Sequence, residues 1–424
     1  MQPENQEVTT EEFAALMAGL PRRPDAALAV AVSGGPDSMA LTLLLRDWAA
    51  AQQVRVQAFT VDHALRAEAA VEAVQVARWC AGLGVPHETL RWEHAALTGR
   101  MQEQARRARY DLLSAACARH GIDILALAHH RDDQAETVLL RFAKGSGIDG
   151  LAGMRAVART RQGLMLLRPL LAIPKARLIA TCAARGQEFV RDPGNETPRF
   201  ARGRLRAAAA ALAAEGLDAT RLVNLAARAA SASDALAEYT RRLLARAARY
   251  DAAGYAELDL RLCRDEPEEI QMRALTTLLR QIGGADHPPK QEAMRDLLAA
   301  LQQPEPPRRT LQGCEIAAAG GVCRVIRELA AIKEHPELAP GQSLVWDGRF
   351  CVTLSATAPE NLTVGALGVL THDQIDALAP GLRQKIGMGR VRATLPALFR
   401  GGMRCGVPGY GVTADYATMR AVTY

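Results

Sequence analysis

Six consecutive residues, Ser33-Gly34-Gly35-Pro36-Asp37-Ser38, carry the densest chemical signal in the chain. They follow the apolar run Ala27–Val32 and open a segment of helical periodicity, Ser38–Ala51. Paired glycines let a backbone turn sharply and approach an anion closely. The free amides of the next helix then point at that anion, and the helix dipole favours it. Pro36 suits a first helical turn, where its missing N–H costs nothing. Ser33 and Ser38 add hydroxyl donors. Asp37 is out of place beside a bare phosphate unless a divalent cation lies between carboxylate and phosphates. The hexapeptide therefore reads as a site for a nucleotide with Mg²⁺, and a Ser-capped strand–helix turn is the bland alternative. No Gly-x-x-x-x-Gly-Lys-Ser/Thr occurs, which excludes a Walker-type loop. No Gly-x-Gly-x-x-Gly follows the first strand, which disfavours a dinucleotide dehydrogenase.

A second cluster begins at His129-His130. His130, Asp133 and Thr137 are spaced to share one helical face, with Glu136 at its flank. Carboxylates there can coordinate a metal or meet an amine, or they can simply cap the helix as Asp133 with Glu136. Arg106 and Arg109 could neutralise phosphates or be solvated. Further on, Arg199, Arg202, Arg204 and Arg206 open a basic stretch. From Arg199 to Tyr250 ten arginines face four acids, and the rest of the chain balances at 42 of each sign. The whole net charge of +6 thus sits in one window, as a polyanionic partner would require. Eight cysteines are scattered with no Cys-x-x-Cys, so zinc, cluster and redox motifs are absent.

The sequence around these residues alternates strand and helix signals. Strands are expected at Ala27–Val32, Val54–Val61, His87–Trp92, Ile122–Ala128 and Leu164–Leu170. Helices are expected at Ser38–Ala51, Ala67–Leu83, Arg100–His120 and Asp132–Lys144. This order predicts an α/β fold, a Rossmann-like parallel sheet flanked by helices. Ligands of such sheets bind outside the carboxyl ends of the strands, where Ser33-Gly34-Gly35, Asp62-His63 and His129-His130 fall. Residues 198–303 are Ala- and Arg-rich with no clear strand and predict a helical domain. Pro304-Glu305-Pro306-Pro307 reads as a linker to a small α+β domain over 304–424. Two hairpins are expected there, at Gly320-Gly321 and Asp347-Gly348. No run of 18 apolar residues exists, and Met1–Glu12 lacks the features of a signal peptide, so a cytoplasmic protein without a membrane span is expected.

Ser-Gly-Gly-x-Asp-Ser resembles the signature of the PP-loop (N-type) ATP pyrophosphatases. Val61-Asp62-His63-Ala64-Leu65-Arg66, Ala105-Arg106-Arg107-Ala108-Arg109-Tyr110, Ala128-His129-His130-Arg131-Asp132-Asp133-Gln134-Ala135-Glu136-Thr137 and Lys144-Gly145-Ser146-Gly147 narrow the resemblance to the tRNA(Ile)-lysidine synthases. The motifs span about residues 27–206. Resemblance implies ligation of free lysine to the wobble cytidine of an isoleucine tRNA with a CAU anticodon, using ATP through an adenylated cytidine. It further implies a catalytic domain over 1–197 in which Ser33, Gly34, Gly35, Pro36, Asp37, Ser38, Asp62, His63 and His130 bind ATP. Asp37 and Asp133 would hold Mg²⁺, and Asp37, Asp133, Glu136 and Arg106 would serve catalysis. Arg199, Arg202, Arg204 and Arg206 would bind tRNA, as would Val391–Pro396 in the C-terminal domain. Gly203 stands where the family usually has Asn. No membrane partner is implied, and a homodimer is left open. Another PP-loop tRNA-modifying enzyme of the thiolation type, or a tRNA-binding protein with an inactive nucleotide fold, are the alternatives.

Overall fold

The computed structural model describes residues 5–21, 26–64, 68–94, 101–160, 162–190, 201–285, 287–411 and 416–422. Met1, Leu65, Arg66, Ala67, Arg100 and Arg199, named above, lie outside these. The chain divides into two compact units, Met1–Ser233 and Asp234–Tyr424. The cut falls inside a long helix of the stretch expected to be one helical domain.

The first unit begins with α1 (Thr10–Ala18) and β1 (Leu28–Ala31) and continues through α2 (Pro36–Gln52), β2 (Val56–Asp62), α3 (Glu68–Gly82) and β3 (His87–Arg91). Then follow α4 (Met101–Arg119), β4 (Ile124–Ala126), α5 (Arg131–Ala143), α6 (Ile148–Leu151), β5 (Val157–Arg159) and β6 (Met165–Leu167). The last elements are α7 (Lys175–Ala184), α8 (Ala201–Ala214) and α9 (Ala219–Ala247), which crosses the cut. The six strands lie in the order β3-β2-β1-β4-β6-β5. All neighbours are parallel except β5 with β6. β1 is central, and its Leu28, Ala29 and Val30 are fully buried, as a strand covered on both faces requires. One face packs on α2, whose Met39, Leu41, Leu43, Leu44, Leu45 and Trp48 are buried nearly all round the helix. The other face packs Phe59, Leu90, Leu125 and Leu166 against Leu113 and Cys117 of α4. Because β1, β2 and β4 are parallel and adjacent, their carboxyl ends bring Ser33, His63 and His129 to one edge.

In the second unit, β7 (Ala248–Asp251) and β8 (Tyr255–Asp259) form a hairpin where the sequence showed no clear strand. That expectation fails because the strands are short and Arg249-Tyr250-Asp251 faces solvent, so no apolar alternation marks them. After α10 (Glu268–Gly283) and α11 (Gln291–Leu301) come β9 (Arg309–Leu311), β10 (Cys314–Ala319) and β11 (Val322–Arg327). They complete a sheet ordered β7-β8-β11-β10-β9. Met294, Leu297 and Leu301 of α11 share a core with Ile316 and Val325 of that sheet. Pro304–Pro307 is therefore a turn between two elements of one unit. The remaining strands are β12 (Glu337–Leu338), β13 (Ser343–Trp346), β14 (Phe350–Leu354), β15 (Leu362–Ala366), β16 (Pro396–Arg400), β17 (Met403–Gly406) and β18 (Ala417–Ala421). They form two small antiparallel sheets. Both expected hairpins are present, with Ala319 opposite Val322 and Trp346 opposite Phe350. Val391–Pro396 is buried throughout, and Arg392 donates Nη1 to the carbonyls of Ile386 and Gly387. The segment supports this fold from inside, which corrects its expected role as an RNA contact. Among the described residues, no helix is long and apolar enough to cross a membrane.

Candidate active site

At the end of β1 the chain turns through Gly34 at φ +82°, a left-handed conformation. A Cβ on Gly34 would also lie 2.7 Å from Val76 Cγ2, so glycine is required on both counts. Gly35 is the N-cap of α2 and Pro36 its first residue, and no side chain caps the helix. The orphan amides of that first turn are thus left for an external acceptor. Ser38 Oγ accepts from Ser33 N at 3.1 Å, lies 3.2 Å from Ser33 Oγ, and donates to Gly35 O at 3.0 Å. The serines hold the turn's shape as well as lining it.

A cleft of about 950 Å³ opens at this edge of the sheet. Ser33, Gly35, Pro36, Asp37, Ser38, His63, His130, Glu136 and Arg206 line it. His130, 2% exposed, sits among three carboxylates. Its Nε2 is 3.5 Å from Asp37 Oδ2 and 3.4 Å from Asp133 Oδ2, and its Nδ1 is 3.5 Å from Asp132 Oδ2. Burial opposes a charge on the ring. The hydrogen bond to Asp37 and the fields of Asp133, Asp37 and Asp132 outweigh it, so the imidazole pKa lies above its ordinary value. His130 is also the N-cap of α5 and forms a capping box with Asp133. The capping alternative thus exists, but with His130 as partner and not Glu136.

Asp37 Oδ1 is buried and has no hydrogen-bond partner. Such an atom is expensive unless a ligand completes it. Lys175 Nζ stands 3.9 Å from Asp37 Oδ2, while Asp132 Oδ2 accepts from the Lys175 amide at 3.0 Å. Glu136, nearly buried, meets Arg206 through Nε–Oε1 at 2.5 Å, and Arg202 Nε is 3.8 Å from its Oε2. Arg206 also approaches Asp133 Oδ1 at 3.8 Å. Arg202 and Arg204 are exposed on the same helix.

Several expected residues stand apart from this lining. Asp62 Oδ1 accepts from Ala64 N at 2.8 Å and serves the turn after β2. Arg106 is exposed, with its guanidinium 5.3 Å from the Tyr110 ring centroid, while Arg109 on the same helix lines the cleft. His129 lines it too, at the strand end where the sequence placed it, while Lys175 and Phe189 also line it and were missed. Lys175 could have been found, since it opens the helix that follows the expected strand Leu164–Leu170. The arginine window is largely ion-paired: Glu238 serves both Arg241 and Arg242, Asp218 serves Arg221, and Glu266 serves Arg246.

A PP-loop domain family matches residues 5–212. A tRNA(Ile)-lysidine synthase of Ruegeria pomeroyi is 42% identical over 335 residues, 79% of this chain and 78% of its own. Those of Methylobacterium nodulans and Rhodopseudomonas palustris are 45% and 44% identical, each over 69% of this chain, and are covered to 87% and 88%. A U34-tRNA thiolase from Methanococcus maripaludis superposes with a TM-score of 0.44 at 18% identity, covering 52% of this chain and 79% of its own.

Proposed function

The chain belongs to the tRNA(Ile)-lysidine synthases, and from that premise we infer how its cleft performs an ATP-dependent ligation of lysine to the wobble cytidine of an isoleucine tRNA. Adenylation of the cytidine carbonyl oxygen, with loss of pyrophosphate, turns a poor leaving oxygen into a good one. The lysine ε-amine then attacks the ring carbon, and AMP departs. The glycine turn at Ser33–Ser38 receives the ATP phosphates on main-chain amides. The observation that carries this reading is the pairing of that turn with the buried, partnerless Asp37 Oδ1.

Mg²⁺ fits these residues: Asp37 Oδ1 lacks a partner, Asp133 stands across His130, and the ion commonly takes one or two carboxylates plus substrate phosphates. When bound it would neutralise phosphate charge. His130 holds the two carboxylates facing one another. Glu136 orients the lysine amine, which must be unprotonated to attack. Arg206 fixes Glu136 through its paired donors. Positioning and charge neutralisation supply most of the rate. The target base must leave its stack, so a single-stranded loop is the expected substrate. Exposed Arg202 and Arg204, with Arg199, offer the phosphate contacts, and the stretches 198–303 and 304–424 carry tRNA recognition. No cysteine lines the cleft, and the buried thiols of Cys117, Cys182 and Cys314 are pushed up to about 12, which disfavours a thiolation reading.

Incubation with ATP, Mg²⁺, radiolabelled lysine and total tRNA tests this directly. One tRNA species should take the label. Label-free tRNA, together with turnover on a different amine or a sulfur donor, would reject it.

A further inference from the structure

The same cleft has a second, basic wall. Arg109 and His129 line it beside Leu113 and Leu127. Behind them Arg168, 7% exposed, donates Nε to His129 Nδ1 at 3.3 Å and Nη1 to Arg155 O at 2.8 Å. The Arg106 and Arg109 guanidiniums stand 5.3 and 5.4 Å from the Tyr110 ring centroid. Among the described residues, none of these three arginines has a carboxylate at ion-pair distance, and Arg109 Nε is buried without a hydrogen-bond partner. His129 supplies no counter-charge. Burial, then Arg168, Arg109, Arg106 and Arg202, hold its pKa down to about 3, so the ring is neutral and accepts from Arg168.

Buried charges are normally paired, and gathered like charges repel. The missing partner is an anion that arrives from solution, and a guanidinium fork matches a carboxylate or phosphate. The wall beside it is acidic: Asp37 and Asp132 line the cleft around His130, and Asp133 approaches the same ring. His129 and His130 are consecutive, so the two poles begin about 3.8 Å apart along the backbone. A cleft with adjacent cationic and anionic walls fits a zwitterion. The ATP phosphates already have the glycine turn. RNA phosphates have the exposed arginines of α8, whereas Arg168 lies too deep for a backbone that runs along a surface.

We propose that Arg109, in the positive field that Arg168 adds behind His129, binds the α-carboxylate of the free amino acid, whose side-chain amine extends toward Asp133 and Glu136. This rests on the ligase reading above. It makes the basic wall a specificity device that rejects amines lacking a carboxylate.

The full-length protein with ATP, Mg²⁺ and tRNA can be offered lysine or 1,5-diaminopentane, which keeps the reacting amine and lacks the carboxylate. The ratio of their kcat/KM values is independent of how much enzyme is folded. The wild-type ratio should favour lysine by about 10- to 100-fold, the scale of a charge-assisted hydrogen bond. Arg109→Gln and Arg168→Gln should bring it near one, and Arg109→Lys should restore part of it. The salt dependence of tRNA binding should not move. A ratio unchanged in both Gln variants overturns the subsite, and so does a flattened salt slope in them, which would make this wall an RNA-phosphate contact. A wild-type chain that transfers neither amine overturns the ligase reading itself.

Discussion

Each unit of this molecule buries a cluster of charges, and the two clusters are finished differently. In the second unit Asp347 lies between Arg327 and Arg349. Arg327 reaches it through Nη2–Oδ1 at 2.9 Å and Arg349 through Nε–Oδ2 at 2.8 Å. The remaining donors are met by backbone: Arg327 Nη1 by Gly313 O at 2.8 Å, Arg349 Nη1 by Gly254 O at 3.1 Å, and Arg349 Nη2 by Thr394 O at 2.7 Å. Arg349 is 1% exposed. That network joins Arg327 and Asp347–Arg349 to the backbone at Gly254, Gly313 and Thr394. In the first unit the cluster around His130 opens on a cleft, and Asp37 Oδ1 is left unmet. A completed buried network fixes a fold, while an incomplete one at a cleft awaits a ligand.

The contrast can be broken most forcefully at Asp347. Asp347→Ala leaves two buried guanidiniums without their carboxylate, which should cost about 3–5 kcal/mol. Urea denaturation should show the loss, and an unchanged midpoint would show the triad to be ornamental. A smaller effect separates two arginines of one helix. Arg206→Ala should lower lysine transfer by about 10- to 100-fold, the scale of a charge-assisted bond, with the salt slope of tRNA binding intact. Arg204→Ala should flatten that slope by about one phosphate contact and spare the chemistry. Exchanged phenotypes would place Arg206 on the RNA.

The smallest effect is one of pH. His129 has a folded-state pKa of about 3 against the usual 6.5, so its native form resists protonation. Its contribution is complete above pH 6.5 and drains away as pH falls toward 3, because the unfolded chain then takes up a proton that the native one does not. Between pH 7 and 5, His129→Gln should therefore lose less stability than the wild type in urea titrations. Equal losses would mean that the ring titrates in the native protein as it does in the unfolded chain.

How much of this was legible follows from range. The glycine turn, the alternation of strands and helices, and both hairpins are written in local spacing, and each is where the sequence placed it. The meeting of Ser33, His63 and His129 followed from the parallel order alone. Lys175 at Asp37, Arg206 at Glu136 and Arg168 at His129 join residues about 40 to 140 positions apart, and no periodicity announces such a pair. Arg106 and Arg109 share a motif, but only the helix phase against the sheet decides which one faces the cleft. The hairpin at Ala248–Asp259 was hidden because its first strand is polar and its partner, β11, lies beyond two helices.

The sharpest measurement is calorimetric titration of ATP into the wild-type protein and Asp37→Asn, with Mg²⁺ and with EDTA. Magnesium should tighten ATP binding to the wild type by at least about tenfold, the worth of one charge-assisted contact, and should do little for the variant, whose melting temperature should match or exceed the wild type's. Equal magnesium dependence in both proteins would contradict the assignment of that unmet carboxylate oxygen to the nucleotide's cation.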